Sequence, residues 1–111
     1  MRLIEQQWGE VIVIRPEGPL TGDEAQRFTE RFVLVADGCR GRCVVDASAV
    51  PFVDSKGLEA LVRANTHMTP TGRALKLCGI NDTIRQVLEL TELEAQFEYF
   101  DDVSKAVWSF L

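Results

Sequence analysis

The sequence has few of the residues that bind transition metals: three cysteines and one histidine among 111 residues. Cys39 and Cys43 are close together, but His67 and Cys78 follow much later in the chain. Zinc sites usually take two closely spaced pairs of ligands, and only one pair is present, so we expect no metal. The odd cysteine count, without a signal peptide, indicates a reducing compartment and predicts that the cysteines are small buried apolar residues.

The sequence also lacks a long apolar segment and a surplus of basic residues. No window approaches the roughly eighteen consecutive apolar residues of a membrane-spanning helix. Glu5 and Glu10 interrupt the region where a signal peptide would have its apolar core. The formal net charge of -5 argues against a general nucleic-acid binder and against electrostatic docking on anionic membranes. We therefore expect a cytoplasmic protein whose partners are neither nucleic acid nor membrane.

The composition is that of an ordinary globular protein, with 46% hydrophobic and 26% charged residues. At this length we predict one domain, residues 1–111, with a core that needs no disulfide or metal. Short apolar segments alternate with amphipathic ones in the order β-β-α-β-α-β-α-β-α, which favours an α/β fold with a mostly parallel five-stranded sheet and about four helices. Gly9 indicates a hairpin that adds one antiparallel strand. The predicted strands are Arg2–Gln7, Glu10–Pro16, Cys43–Val50, Ala74–Ile80 and Phe97–Tyr99.

The first predicted helix begins with a capping signal. Thr21 followed by Glu24 is the pattern of a capping box, in which each side chain bonds the backbone N–H of the other residue. Leu20 and Ala25 occupy the positions of a hydrophobic staple across the same helix start. The spacing of the apolar residues then predicts one buried helix face: Ala25, Phe28, Phe32 and Val35.

The segment Val44–Leu61 is the most specific part of the sequence, since a buried strand, a short apolar loop and a helix start follow one another. With Asp54 as the N-cap, its carboxylate accepts backbone N–H groups, and Ser55 stands at the first helical position with its hydroxyl free. Gly57 leaves the backbone of the first turn uncovered, so that another protein can approach closely. This second helix is predicted to end at His67, with an apolar face of Leu58, Leu61 and Val62.

Ser55, His67 and Asp54 are the residue types of a hydrolase triad, but their spacing argues against one. Twelve residues separate Ser55 from His67 on one predicted helix, which is roughly 18 Å at about 1.5 Å per residue. A nucleophile and its base must be about 3 Å apart. We therefore predict no catalytic residue and no enzyme, and we interpret Asp54 as a helix cap.

The strand, the apolar loop and the sequence Asp54-Ser55-Lys56-Gly57-Leu58 resemble the STAS family, and within it the bacterial anti-sigma factor antagonists. The hallmark of these proteins is Asp-Ser-Ser/Thr-Gly-Leu at the start of a helix. The order of predicted elements matches the family over essentially the whole chain. The segment LKLCGINDTIRQVLELTEL, residues 75–93, is similar to the family's strand, loop and helix with a leucine-rich turn.

The resemblance implies that Ser55 is a phosphorylation site. In this family, an anti-sigma factor with serine kinase activity phosphorylates the serine, and a PP2C-type phosphatase reverses the modification. The unmodified protein binds the anti-sigma factor and frees a sigma factor, which regulates transcription. ATP and its metal belong to the kinase, so no cofactor is expected in this chain. The alternative is a STAS scaffold subunit without phosphorylation, either in a signalling complex or in a transporter assembly.

The partner-binding surface implied by the resemblance comprises the loop before the first helix and the loop and first turn of the second. Its residues are Thr21, Phe52, Val53, Asp54, Ser55, Lys56, Gly57 and Leu58. Two of them depart from the family pattern. Thr21 stands where the family's Gly-x-Leu-Asp has aspartate, which affects kinase recognition if this loop lies beside Ser55. Lys56 replaces serine or threonine, and its charge either pairs with a phosphate or repels a basic partner.

Overall fold

A computed structural model describes residues 1–111. Its five strands form one sheet, and their order across the sheet is their order along the chain. The predicted element order, the five-stranded sheet and the four helices are confirmed. The strands are β1 (Arg2–Trp8), β2 (Val11–Glu17), β3 (Cys43–Asp46), β4 (Lys76–Cys78) and β5 (Glu98–Phe100). The helices are α1 (Gly22–Gly38), α2 (Ser55–Met68), α3 (Asp82–Leu90) and α4 (Val103–Trp108), with short 3-10 helices at Thr69–Thr71 and Glu94–Gln96.

The sheet is mixed in the way that the sequence predicts. Strands β1 and β2 form an antiparallel hairpin in which Trp8 pairs with Val11. Gly9 in the turn has a φ of 64°, a conformation that glycine adopts without steric cost. Strands β2 to β5 all run parallel to one another, so the helices that connect them cross over the faces of the sheet.

Alternate residues of the central strands serve two separate cores. Val45 and Leu77 pack with α1, α2 and α3 in the larger core. Val44 and Cys78 point to the opposite face, where they pack with Val107 and its neighbours in α4. Both faces of β3 and β4 are thus covered, which explains why these strands are mostly apolar, with Asp46 and Lys76 as the exceptions. None of the helices combines the length and the apolar composition needed to cross a membrane.

Strand β3 is shorter than its apolar sequence predicts. The prediction extends it to Val50, but it ends at Asp46 because the buried carboxylate accepts the N–H of Ser48 at 3.0 Å. A second turn follows, in which the N–H of Val50 donates to the carbonyl of Ala47 at 3.0 Å. Such a local side-chain bond to the backbone competes with the strand ladder, so the carboxylate starts the loop that leads to α2.

The capping box predicted at the start of α1 does not form. Thr21 is the N-cap, but its side chain makes no capping hydrogen bond. The carboxylate of Glu24 pairs instead with Arg27 at 3.2 Å and with the ammonium group of Met1 at 3.5 Å. Because these cations pair with the carboxylate of Glu24, it does not accept the backbone N–H of Thr21 as the capping box requires. The predicted buried face of α1 is confirmed, and Ala36 joins it: Ala25, Phe28, Phe32, Val35 and Ala36 are buried.

Helix α2 buries smaller residues than its sequence predicts. Of the expected apolar face, Leu61 is buried, whereas Leu58 and Val62 are only half-buried. The remaining buried positions are Gly57, Ala60, Ala64 and Met68. Helices α1 and α2 lie in contact, and small side chains at such a contact allow close approach of the two backbones. Alanine gives a weak hydrophobic signal, which explains the incomplete prediction.

All three cysteines are free and buried. Burial raises the pKa of Cys39 and Cys43, and it raises that of Cys78 to about 12, with a smaller contribution from the negative charge of Asp46. The thiolate is the form that reacts with electrophiles, so these residues are poor nucleophiles in the folded protein.

We expect iodoacetamide at pH 8 to modify the native protein far more slowly than the urea-unfolded protein. An unperturbed thiol with a pKa of about 8.5 is roughly one-quarter thiolate at this pH, whereas one with a pKa near 12 is thiolate in about one molecule in ten thousand. Mass spectrometry of samples taken over time measures the number of labels. Equal labelling rates in the two states would contradict the burial of the cysteines.

Candidate functional site

Two loops meet at the edge where the parallel strands β2 and β3 end. The N–H of Gly18 donates to the carbonyl of Ala49 at 3.1 Å, and the N–H of Leu20 donates to the carbonyl of Phe52 at 3.2 Å. Leu20 and Val53 form an isolated parallel bridge beside these bonds. The loop before α1 and the loop before α2 are therefore joined through their backbones.

Asp54 fastens this pair of loops to the starts of both helices. One carboxylate oxygen accepts the N–H of Gly57 at 2.8 Å, which confirms Asp54 as the N-cap of α2. The other oxygen accepts the N–H of Gly22, the first residue of α1, at 3.1 Å. Both oxygens are thus engaged with backbone groups, and each bond satisfies an N–H that a helix start would leave without a partner.

Gly57 is buried, and the chain's own loop occupies the space beside it. A Cβ atom built on Gly57 would lie 2.1 Å from the carbonyl oxygen of Leu20 and 2.9 Å from Cβ of Val53. The prediction that the uncovered backbone of Gly57 receives another protein is therefore wrong. Only a residue without a side chain allows the two loops to approach this closely, so the role of Gly57 is to let the loops of the site pack against each other.

Ser55 lies on the outer surface of this arrangement. It is exposed at the first position of α2, and no hydrogen bond within the chain engages its hydroxyl. Lys56 is exposed beside it, and Phe52 leaves 48% of its surface in solvent. Val53 and Leu58 are only partly exposed because they pack against the larger core. The surface thus presents a hydroxyl, an ammonium group and an aromatic ring close together on a fixed backbone.

Thr21 lies where sequence reasoning expects it, next to the start of α2. It precedes Gly22, whose N–H binds Asp54, and its own side chain is half-buried without a capping bond. A groove of about 310 Å³ continues from this point between α1 and α2. Asp23 and Lys56 both line the groove, so a carboxylate of α1 faces the first turn of α2.

Asn81 is a supporting residue that the sequence identifies only in part. Its predicted role as N-cap of α3 is confirmed, because its side-chain oxygen accepts the N–H of Ile84 at 2.8 Å. Its side-chain nitrogen also donates to the carbonyl of Pro51 at 2.9 Å, which holds the loop that carries Phe52. The capping signal locates Asn81, but nothing local in the sequence indicates the second contact.

His67 lies near the opposite end of α2 from Ser55. Its Nε2 atom is 2.7 Å from a carboxylate oxygen of Asp37 in α1. The structure therefore does not bring His67 and Ser55 together, and Asp54 is occupied by backbone N–H groups.

Comparison with known proteins gives one family and several structures. The model of the STAS domain family matches residues 4–106. A STAS-domain anti-sigma factor antagonist from Planctomyces limnophilus has a TM-score of 0.82 and 20% identity, over 96% of each chain. The anti-sigma factor antagonist SpoIIAA in its unphosphorylated form has a TM-score of 0.73 and 14% identity, over 98% of this chain and 96% of that one.

The same fold also occurs in a protein of another kind. A sulfate transporter family protein from Wolinella succinogenes has a TM-score of 0.75 and 22% identity, over 90% of this chain and 84% of that one. At such identities the structural matches show the fold that these chains share.

We expect Gly57→Ala to lower the free energy of unfolding by about 1–3 kcal/mol, because the added methyl group must displace the carbonyl of Leu20. Gly38→Ala is the matched control, since a Cβ at Gly38 meets no atom within 4 Å. The control should be neutral or stabilising by up to about 1 kcal/mol, as alanine favours a helix over glycine. Urea denaturation followed by circular dichroism measures both variants. Equal stabilities would show that the loops do not constrain each other.

Proposed function

The chain belongs to the STAS domain family, and we propose that it acts in this family as an anti-sigma factor antagonist. In this proposal it binds an anti-sigma factor that is also a serine kinase, and phosphorylation of Ser55 ends the binding. A PP2C-type phosphatase restores the unmodified form. The cycle thereby regulates transcription that depends on a sigma factor, and the kinase supplies ATP and its metal.

The observation that carries the proposal is the exposed hydroxyl of Ser55 on a rigid surface. The two oxygens of Asp54 and the close approach at Gly57 fix the backbone on either side of Ser55. A kinase must place a hydroxyl in line with the phosphate that it transfers, and a fixed helix start presents the group in one orientation. The exposed ring of Phe52 offers apolar area for a protein contact at the same place.

A phosphate on Ser55 is compatible with the fold. The start of a helix stabilises a negative charge by about 0.3–1 kcal/mol through the helix dipole. Asp54 and Glu59 are close along the chain and oppose part of this gain by repulsion. The net effect is small, so the free energy of unfolding should change by no more than about 1 kcal/mol.

The same phosphate is costly within a protein contact. Binding removes water from the surface around Phe52 and Val53, and a phosphate or carboxylate there loses its hydration without gaining a fixed cation. A charge buried without a partner in an interface costs about 2–5 kcal/mol. Lys56 is next to Ser55, but it is exposed and makes no ion pair within the chain, so it offsets only part of this cost. Phosphorylation therefore acts on binding and leaves the fold intact.

The second candidate function is that of a STAS subunit without phosphorylation, in a signalling complex or a transporter assembly. The likeness to the sulfate transporter family protein favours it, as do Thr21 and Lys56, which depart from the antagonist pattern. In this case the surface around Phe52 binds its partner whatever the state of Ser55.

We expect Ser55→Asp to weaken binding to the cognate anti-sigma factor by roughly 30-fold to several thousand-fold, the equivalent of about 2–5 kcal/mol. Ser55→Ala should bind within about twofold of the wild type, because it adds no charge and buries no polar group, and it should accept no phosphate. Calorimetric titration measures the affinities, and thermal melts of each variant measure the fold.

The control is Ser104→Asp, which makes the same change at an exposed position in the first turn of α4. It should bind like the wild type because α4 packs on the other face of the sheet. Equal affinities for the wild type and both Ser55 variants, with equal stabilities, would contradict the switch and support the second candidate function.

We expect Thr21→Asp to raise the rate of phosphate transfer from the kinase to Ser55 by roughly two- to tenfold, the effect of one added polar contact. Asp is a good N-cap, and the side chain of Thr21 makes no capping bond that the change would break. Labelled ATP measures the transfer, and Thr83→Asp in the first turn of α3 is the matched control. An unchanged or lower rate would show that Thr21 does not limit kinase recognition.

A further inference from the structure

Four of the twelve lysines and arginines have no carboxylate within 4.0 Å, although the chain has 17 acidic residues: Arg40, Lys56, Arg73 and Arg85. Two of these cations, Arg40 and Arg73, lie together near the C-terminal ends of α1 and α2. The backbone carbonyl of Arg40 accepts a hydrogen bond from the Arg73 guanidinium at 3.4 Å. In an acidic protein, two neighbouring cations without carboxylates are available for an external partner.

Both arginines line a groove of about 860 Å³ between α1, α2 and the turn that follows α2. We call it the basic groove, after its three arginines, Arg40, Arg63 and Arg73. Asp37 is the one carboxylate in its lining, and it pairs with His67 at 2.7 Å. The Arg63 side chain is 66% exposed, and its guanidinium pairs with Glu59 at 2.6 Å.

The floor of the basic groove is closely packed. Gly41 has a φ of 78°, and a Cβ there would lie 2.7 Å from the Cγ2 atom of Thr71, so the turn after α1 sits directly on the turn after α2. The guanidinium of Arg73 also lies 5.2 Å from the centre of the Phe110 ring. Cations held in place before binding lose less conformational freedom when a partner arrives.

The chemistry of the groove favours a partner with several separated carboxylates over one compact anion. Compact phosphates bind at helix N-termini, where backbone N–H groups point outward. The basic groove lies at helix C-termini, where the dipole is negative and counteracts part of the positive charge. Its arginines are exposed, and they are spread over two turns and one helix. An extended polypeptide spans such an arrangement and meets each guanidinium with a carboxylate.

We propose that the basic groove binds an acidic segment of a second protein, whose carboxylates pair with Arg40, Arg63 and Arg73. The groove lies at the C-terminal end of α2: along the helix axis, His67 in its lining is about 18 Å from Ser55 and Arg63 is about 12 Å from it. An occupant that pairs with Arg40 and Arg73 leaves Ser55 itself uncovered, so one chain can hold two partners at once. The groove acts in either phosphorylation state and does not depend on the function proposed above.

The test is fluorescence anisotropy with a fluorescein-labelled peptide of ten glutamates and no other protein. The wild type should bind the peptide, with affinity that falls as salt is added. Arg40→Gln/Arg73→Gln should bind about tenfold more weakly, because each exposed ion pair contributes a few-fold at most. The matched control, Arg2→Gln/Arg85→Gln, changes the net charge equally outside the groove and should stay within about twofold of the wild type. Arg40→Lys/Arg73→Lys keeps the charge and should retain most of the binding.

Several outcomes would overturn the proposal. These are no binding by the wild type, equal weakening in the control, or displacement of the peptide by inorganic phosphate at the same total charge. Thermal melts can reveal a further contrary outcome. If Arg40→Gln/Arg73→Gln is less stable than the wild type but binds the peptide equally well, these arginines stabilise the helix C-termini and do not bind the partner. Arg63→Gln provides a second test on the exposed face of α2. If neither Arg63→Gln nor Arg40→Gln/Arg73→Gln weakens peptide binding, the groove is not the binding site. Light scattering that shows self-association through these arginines, without peptide binding, would assign the groove to a second copy of the chain.

Discussion

The carboxylate of Asp54 joins two helices that begin on different loops. One oxygen caps α2 through Gly57, and the other binds the first N–H of α1 at Gly22. The contact requires the loops to lie against each other, which in turn requires the absence of a side chain at Gly57, where the carbonyl of Leu20 takes the space. The position of Ser55 follows from these constraints, because it lies between the capping residue and the glycine.

The sequence predicts what depends on neighbouring residues. Apolar spacing gives the element order, and the acceptor side chain at Asp54 gives the start of α2. Some errors are local, as at the Asp46 turn that ends β3 early, and others arise where another segment of the chain intervenes. From the sequence, the backbone at Gly57 looks open to a partner, because the loop that covers it lies much earlier in the chain, before α1. The Thr21 capping box fails because Met1 and Arg27 pair with Glu24. The resemblance to a family was needed to assign a role to Ser55, since serine is common at helix starts for capping alone.

Helix α2 connects two surfaces of different chemistry. Its first turn presents the hydroxyl of Ser55, and the loop before it presents the ring of Phe52. In the proposed switch, one phosphate changes the balance between hydration and contact at this end. Its last turns face the basic groove, where exposed guanidiniums attract carboxylates without large apolar burial. Contacts of the first kind give affinity through desolvation, whereas contacts of the second kind act through charge and are weakened by salt. Helix α2 can in this way offer contacts of both kinds, one at each of its ends.

The order of the strands has a consequence for synthesis of the protein. Since each strand pairs with the next one along the chain, each pairing can form as soon as that next strand has been synthesised. Domains begin to fold while the rest of the chain is still being made. Strands β2 and β3 and both loops of the site precede β4, so the residues around Ser55 are synthesised before β4 and α3. Asn81 adds its bond to Pro51 later, when α3 leaves the ribosome.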